Sequence, residues 1–168
     1  MEILKGLFES LLSWFKSPAP PPVVTKPYSA EILRIHNLHR DGRLPLVLHP
    51  LLTRAAQKHA DWMARKEAMS HRGEGFSSAG QRIKESGYHW STYGENVAYG
   101  KVSPQEVMRV WLKSRGHRRN ITNSAYQEIG VGYAVSAKGL MYWCVTFGSR
   151  GFGRSLWNEA ECLSRFEE

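Results

Sequence analysis

The chain begins with an amphipathic pattern. Across residues 1–16 the large apolar side chains recur at helical spacing and the polar ones lie elsewhere, which predicts a helix. Its apolar face would consist of Ile3, Leu4, Leu7, Phe8, Leu11, Leu12 and Phe15. Residues 17–27 contain five of the eight prolines and predict an extended, semi-rigid linker. We therefore expect a folded domain over residues 28–154 and a short helical tail over residues 155–168.

Helical periodicity returns in the first half of this domain. Ser29 is placed to cap a helix over about residues 30–40, and a short extended segment, LPLVLHP, follows it. A longer helix is predicted over residues 51–69, and a short one over about residues 79–86. The buried stripe of the long helix would consist of Leu52, Ala55, Ala56, Ala60, Met63 and Ala64. Residues 88–101 are predicted to be irregular.

The second half combines one strong helix start with a hairpin. The segment Ser103-Pro104-Gln105-Glu106 has a serine cap, proline at the first helical position and glutamate for a capping box. This helix would end by Gly116. Two β-rich segments, residues 128–135 and 140–147, are joined by SAKG, which is typical of a hairpin turn. Helices that bracket a small antiparallel sheet indicate an α+β layered domain.

Charge and composition restrict the class of protein. The 168 residues carry a net charge of +8, which favours an anionic partner such as a cell-wall polymer or an anionic lipid surface. Nucleic acid is disfavoured, because the basic residues are dispersed and form no recognised binding motif. Two cysteines, Cys144 and Cys162, are too few for a disulfide scaffold, so Cys144 is interpreted as a small core residue. A single bridge between the two stays an open alternative.

Residues 1–16 have two open interpretations. The helix could dock on the domain or on a second copy, or it could lie in a membrane interface with its apolar face down. Lys5 and Glu9 interrupt the apolar region, so the segment is a poor cleavable signal peptide. No apolar run approaches the roughly 18 residues that a membrane-spanning helix needs. The expected location is the cell envelope or the extracellular space, with membrane association as one option.

Four polar residues lie in unusual segments: His71 in SHRGEG, Glu95 in GENVAYG, His117 in SRGHRRNI and Glu128 in YQEIGVGY. Taken singly, each has an ordinary interpretation as a solvated or hydrogen-bonded group. His117 follows the predicted helix, where the C-terminal dipole would favour a protonated imidazole. Two imidazoles and two carboxylates suffice for acid–base catalysis or metal binding, provided that they converge in space.

The series of segments resembles the CAP superfamily of cysteine-rich secretory, antigen 5 and pathogenesis-related proteins. The resemblance runs from Ile32 to Gly148 and rests on HNLHR, GRLPLVLHPLL, AAQKHADWMA, SHRG, RIKESGY, GENVA, VWLKSRGHRRNI, EIGVGYA and YWCVTFG. It is nearest to the compact bacterial branch. The resemblance implies a three-layer α–β–α sandwich whose open cleft is lined by His71, Glu95, His117 and Glu128. Many animal members have the second histidine in a segment like GHYTQ, where this chain has Ala125, and they carry several disulfides.

Two kinds of chemistry remain open for the cleft. Zinc could be held by His71, His117 and one glutamate, with the other glutamate as general base toward a bound water. Without metal, Glu95 and Glu128 could act as a carboxylate pair with a histidine as proton shuttle. Arg118 and Arg119 flank His117 and could hold an anionic substrate group. Asn37, Arg40 and Asn120 are interpreted as structural residues that brace loops.

Two functions follow from these residues. The first is a hydrolase of peptidoglycan or its peptides, which suits a basic protein with an acid–base cleft. The alternative is a non-catalytic module that binds lipid, a membrane surface or a protein partner, as the resemblance implies for many members of the superfamily. In that case the four cleft residues would form a metal-regulated or vestigial site.

Overall fold

The computed structural model describes residues 27–100 and 103–151, which form five α-helices, one short 3-10 helix (Glu74–Phe76) and a four-stranded sheet. The helices are α1 (Pro27–Leu38), α2 (Pro50–Lys66), α3 (Ala79–Glu85), α4 (Pro104–Lys113) and α5 (Arg115–Ile121). The strands are β1 (Val47–Leu48), β2 (Thr92–Gly100), β3 (Glu128–Val135) and β4 (Met141–Ser149). Their order is β1-β3-β4-β2, with β1 parallel to β3 and the other pairs antiparallel. The sheet is therefore mixed, whereas the sequence predicted an antiparallel one.

One face of the sheet packs closely against α2. A Cβ atom on Gly130 would lie 2.0 Å from the Leu52 carbonyl carbon, and one on Gly132 would lie 2.3 Å from that of Ala56. Glycine at both positions is thus a condition for the helix to lie this near the strand. The predicted stripe of α2 is buried along its whole length, which confirms that prediction.

The opposite face is covered by α1, α4 and α5. Ile32, Val107 and Trp111 pack with Val145 and Phe147 in one buried cluster. Helices thus cover both faces, and the predicted three-layer α–β–α sandwich is confirmed. Because β4 is central and covered on both faces, the neighbours Tyr142 and Trp143 are both buried, although they point in opposite directions.

The predicted loop braces are also present. The Asn37 side-chain amide donates to the Leu46 carbonyl (3.0 Å) and accepts from the Leu46 N–H (2.8 Å). The Arg40 guanidinium donates to four main-chain carbonyls, among them those of Ile121 (2.7 Å) and Tyr126 (3.0 Å). These bonds join the segment before β1 to the segment before β3.

Several boundaries differ from the predictions. Helix α1 begins at Pro27, and Ser29 is a buried residue inside it rather than its cap. The capping box of α4 is confirmed, but a further helix, α5, follows directly, with Ser114 between the two. The prediction of irregular structure over residues 88–101 is wrong, because strand β2 occupies most of that segment.

Other predictions fall outside the described residues, namely the helix over residues 1–16, most of the linker, the C-terminal tail and Cys162. Within residues 27–100 and 103–151, no helix has both the length and the apolar character that crossing a bilayer requires. Cys144 is fully buried in β4, as predicted.

Candidate active site

The candidate site is organised around the outer edge of β2, where no other strand of the described residues pairs with it. The carbonyls on this edge accept hydrogen bonds from side chains instead. The Tyr126 hydroxyl donates to Tyr93 (2.8 Å), and the Asn120 amide donates to Glu95 (3.1 Å). The Trp111 indole N–H donates to a third carbonyl of β2, at 3.2 Å. These donors satisfy an edge that would otherwise be open to pairing with another chain, and they place α5 beside Glu95.

The Glu95 side chain forms a dyad with His71. Imidazole Nδ1 lies 2.9 Å from carboxylate Oε1, and the Glu95 side chain is 3% exposed while that of His71 is 59% exposed. The hydrogen bond and the charge of Glu95 raise the pKa of His71, although burial partly opposes this. Because the pair occupies Nδ1, ring nitrogen Nε2 is left toward the solvent.

Arg82 on α3 binds the other side of the same carboxylate. Its Nη2 donates to Glu95 Oε2 at 2.6 Å, while Nη1 donates to the carbonyls of His71 (3.2 Å) and Ser77 (2.7 Å). Burial alone would raise the pKa of Glu95 and is the largest single influence on it. The hydrogen bond from His71, together with the charge and the hydrogen bond of Arg82, outweighs burial and lowers that pKa. Glu95 is thus a buried carboxylate held in its ionised form.

A second helix also fixes the segment that carries His71. His59 on α2 is 1% exposed, and its Nε2 lies 2.7 Å from the Ser70 carbonyl. Burial lowers the pKa of His59, which keeps the ring neutral as a hydrogen-bond donor. Two consecutive carbonyls are therefore held from two helices. His59 on α2 binds that of Ser70, and Arg82 on α3 binds that of His71.

His117 approaches the dyad from α5. It is the third residue of that helix, and its carbonyl accepts a hydrogen bond from the Asn96 amide at 3.1 Å. The prediction of a C-terminal dipole at His117 is wrong, because the ring lies in a first turn, where the dipole disfavours a cation. Burial lowers the pKa of His117, and so does the nearby charge of His71. Nδ1 is buried without a hydrogen-bond partner among the described residues, so Nε2 is the ring nitrogen available to a substrate.

Glu128 belongs to a separate cluster. Its Oε1 accepts from Arg150 Nη2 at 2.6 Å, and its Oε2 accepts from the Tyr88 hydroxyl and, at 3.3 Å, from Arg150 Nε. Burial raises the pKa of Tyr88, and the carboxylate raises it further, so the phenol stays protonated. The ring of Tyr88 lies over Gly148, where a Cβ atom would approach it to 2.7 Å. The imidazole of His49 packs edge to face with the Tyr88 ring, with the two ring centroids 4.9 Å apart.

The register relates the two carboxylates. Glu95 pairs with Thr146, and Glu128 pairs with Gly148 on the other side of β4. Both side chains therefore project from the face that α2 covers, in adjacent rows and two strands apart. Standard sheet spacings put their Cα atoms about 12 Å from each other. The structure thus brings Glu95 together with His71 and His117, and places Glu128 one row beyond them.

The remaining predicted groups have clear positions. Arg118 and Arg119 lie on α5 with exposed side chains, next to His117. Asn120 is structural, as predicted, because its amide bridges the Glu95 carbonyl and the Asn96 side chain, at 3.1 and 2.8 Å. Cys144 Sγ lies 3.5 Å from Glu95 Oε2, and burial raises the pKa of this thiol, which makes it a poor nucleophile.

The arrangement does not favour a zinc site. Within residues 27–100 and 103–151, no three side chains of His, Cys, Asp or Glu form a group that could hold a metal ion. Arg82 and His71 occupy both oxygens of Glu95, and Arg150 and Tyr88 occupy those of Glu128. A zinc ion would have to displace a cation from its carboxylate. Zinc binding by His71 and His117 remains a prediction from the sequence.

Comparisons with known proteins agree with this fold. The family model described as CAP, the cysteine-rich secretory protein family, matches residues 33–147. Protein YkwD of Bacillus subtilis (strain 168) is 32% identical over 117 residues, which are 68% of this chain and 46% of YkwD. Membrane protein YlbC of the same strain is 34% identical over 74 residues, 44% of this chain and 21% of YlbC. The chain therefore spans less than half the length of either relative.

Among solved structures, the fold is similar to that of an extracellular protein containing an SCP domain from Bacillus anthracis str. Ames. The TM-score is 0.64 at 22% identity, and the match covers 73% of this chain and 40% of that one. At this identity the likeness concerns the fold alone.

Proposed function

This chain belongs to the CAP family, the cysteine-rich secretory protein family, and we propose that it hydrolyses peptidoglycan or its peptides at the cell envelope. It would do so by acid–base chemistry with two imidazoles. The observation that carries the proposal is the His71–Glu95 dyad, in which an exposed ring is hydrogen-bonded to a buried carboxylate beside a second histidine. Such a pair orients an imidazole and stabilises its protonated form.

The two histidines suit complementary roles. Glu95 raises the pKa of His71, whereas burial and the charge of His71 lower that of His117. At one pH, His71 can thus be a protonated acid while His117 is a neutral base. Opposite shifts in neighbouring titratable groups are how acid and base are assigned within an active site.

The proposed reaction needs no protein nucleophile. His117 Nε2 accepts a proton from a water molecule as the water oxygen attacks the electrophilic carbon of the scissile bond. His71 Nε2 gives its proton to the leaving oxygen or nitrogen, and Glu95 stabilises the imidazolium before this transfer. Proton transfer from His117 back to His71 through solvent restores the starting state. Glu128, with both oxygens engaged, would shape the cleft rather than transfer protons.

The net charge of this protein supports the substrate class, and the description of a relative supports the location. A net charge of +8 attracts the anionic polymers of a cell wall, and Arg118 and Arg119 present exposed guanidinium groups next to His117. The relative YlbC is described as a membrane protein, and this description favours a location at the membrane.

The test is release of soluble fragments from purified sacculi between about pH 5 and 8, around the ordinary histidine pKa. We expect release by the wild type and a loss of about 100-fold in His71→Gln and His117→Gln. His39→Gln is the matched control, because His39 is exposed in the loop after α1 and lies outside the site. Absence of release by the wild type over this range would refute the proposal, and binding without release would favour the non-catalytic alternative.

A further inference from the structure

The loop between α2 and α3 exposes a large aromatic side chain beside the candidate site. Phe76 is 84% exposed, the highest value among the large hydrophobic residues described as exposed. Its φ is +60°, a left-handed conformation that non-glycine residues seldom adopt, and Gly75 before it has the same φ. Burial of the ring would have been favourable, and the backbone conformation is strained. The fold therefore bears two costs in order to present this ring to solvent.

The loop is held in this conformation by its own hydrogen bonds. The Gly73 N–H donates to the Ser77 carbonyl at 2.9 Å, and the Phe76 N–H donates to the Gly73 carbonyl at 3.0 Å. Arg72 Nη1 donates to the Phe76 carbonyl at 3.3 Å. A Cβ atom on Gly73 would lie 2.8 Å from Ser77 Oγ, so the loop is closely packed on its inner side. The backbone that carries the Phe76 ring is thus held in one conformation by hydrogen bonds within residues 72–77.

The loop over residues 72–77 is joined to the His71–Glu95 dyad through Arg82. One nitrogen, Nη1, donates to the carbonyls of both His71 (3.2 Å) and Ser77 (2.7 Å), so these two oxygens are no more than about 6 Å apart. The other nitrogen, Nη2, holds Glu95. The residue next to Phe76 is therefore bound to the same guanidinium that orients the proposed acid.

We propose that Phe76 is a substrate-contact residue, whose ring packs on the C–H face of a sugar in the glycan strand of peptidoglycan. This rests on the proposed function, since it assigns a binding role at the same site. A glycan fits the geometry better than a small apolar side chain of the stem peptide. Such a side chain is recognised by a concave pocket, whereas a ring exposed to this degree offers a flat surface. Each sugar of an extended glycan strand offers a flat C–H face, and one such face can stack on this ring.

The experiment is sedimentation binding to two probes, peptide-free glycan strands and sacculi, with soluble stem peptide as competitor. The loss variant is Phe76→Asn, because asparagine tolerates the left-handed conformation and should leave the loop intact. Phe76→Trp keeps an aromatic ring. We expect Phe76→Asn to bind glycan strands about fivefold more weakly, Phe76→Trp to bind like the wild type, and stem peptide to compete poorly with either probe.

Leu44→Asn is the matched control. Leu44 is 74% exposed, and it precedes β1, at the opposite edge of the sheet from β2. Its substitution should leave binding unchanged. Equal binding by Phe76→Asn and the wild type, no binding of glycan strands by the wild type, or a loss of equal size in Leu44→Asn would overturn the proposal. Effective competition by stem peptide would overturn the glycan assignment. Glycan binding that depends on Phe76 without fragment release would refute the proposed hydrolysis but not the contact.

Discussion

The two glutamates of the predicted site have the same setting and different partners. Glu95 and Glu128 both project from the α2 face of the sheet, both are at least nine-tenths buried as residues, and both are bound by an arginine. Glu95 also binds an exposed imidazole, whereas Glu128 binds the hydroxyl of the buried Tyr88. His71 can therefore exchange a proton with solvent near neutral pH, whereas burial and the neighbouring carboxylate raise the pKa of Tyr88 and keep its phenol protonated. The second partner, rather than the carboxylate, decides which cluster is chemically active.

The largest expected effect separates the two clusters by activity. Glu95→Gln removes the charge that stabilises protonated His71, so sacculus digestion should fall about 100-fold. Glu128→Gln should change the rate per folded molecule by less than about threefold. Each variant leaves an arginine without its carboxylate, so each should lower the free energy of unfolding by about 1–3 kcal/mol. Rates are therefore compared below the melting temperatures of both variants. Equal losses of rate in Glu95→Gln and Glu128→Gln would contradict the claim that only the Glu95 cluster is chemically active.

A smaller effect is expected from Arg82→Lys. Lysine keeps the positive charge but cannot donate at once to Glu95, His71 and Ser77 with the fixed geometry of a guanidinium. We expect roughly a tenfold lower rate, because the dyad is less well oriented. Arg150→Lys is the corresponding change in the Glu128 cluster and should leave the rate nearly unchanged. The contrast is measured by digestion kinetics with circular dichroism as a check on folding, and the reverse order of effects would contradict it.

Much of the fold could be predicted from local sequence. The apolar stripe of α2 and the capping box of α4 are short-range patterns, and both were predicted correctly. Strand β2 was missed because Gly94, Asn96 and Gly100 are poor strand formers by themselves. Its pairing with β4 and the side chains that bind its outer edge are long-range contacts. Gly94 shows this well, since a Cβ atom there would lie 2.5 Å from the Tyr126 hydroxyl.

The site was predicted in part for the same reason. His59 could have been found, because a polar residue interrupts the otherwise apolar stripe of α2. Arg82 lies in the segment RIKESGY, but nothing in its spacing indicates that it binds Glu95. Tyr88 and Arg150 reach Glu128 from positions 40 and 22 residues away in sequence, so no local pattern indicates this cluster.

The pH dependence sharpens the comparison further. The pKa of His71 is higher in the folded protein than in the unfolded chain. Its bond with Glu95 therefore stabilises the fold fully below the pKa of His71 in the unfolded chain, and this stabilisation is lost as pH rises through the pKa of His71 in the folded protein. The pKa of Glu95 is lower in the folded protein, so its stabilising contribution is present above the pKa of Glu95 in the unfolded chain and is lost as pH falls through its pKa in the folded protein. By NMR titration, Glu95→Gln should lower the pKa of His71, whereas Glu128→Gln should leave it unchanged. An equal shift in both variants would mean that the clusters are coupled.

The smallest expected effect is that of zinc. A zinc ion present at 100 times its dissociation constant would stabilise the folded state by about 2.7 kcal/mol. We expect protein treated with chelator and protein in excess zinc to have the same melting temperature, because arginines already balance the negative charges of Glu95 and Glu128. The controls are His71→Ala and His117→Ala, which remove the predicted ligands one at a time. A rise of several degrees in the wild type that both variants abolish would show that zinc binds through His71 and His117, and the active cluster would then be a metal site.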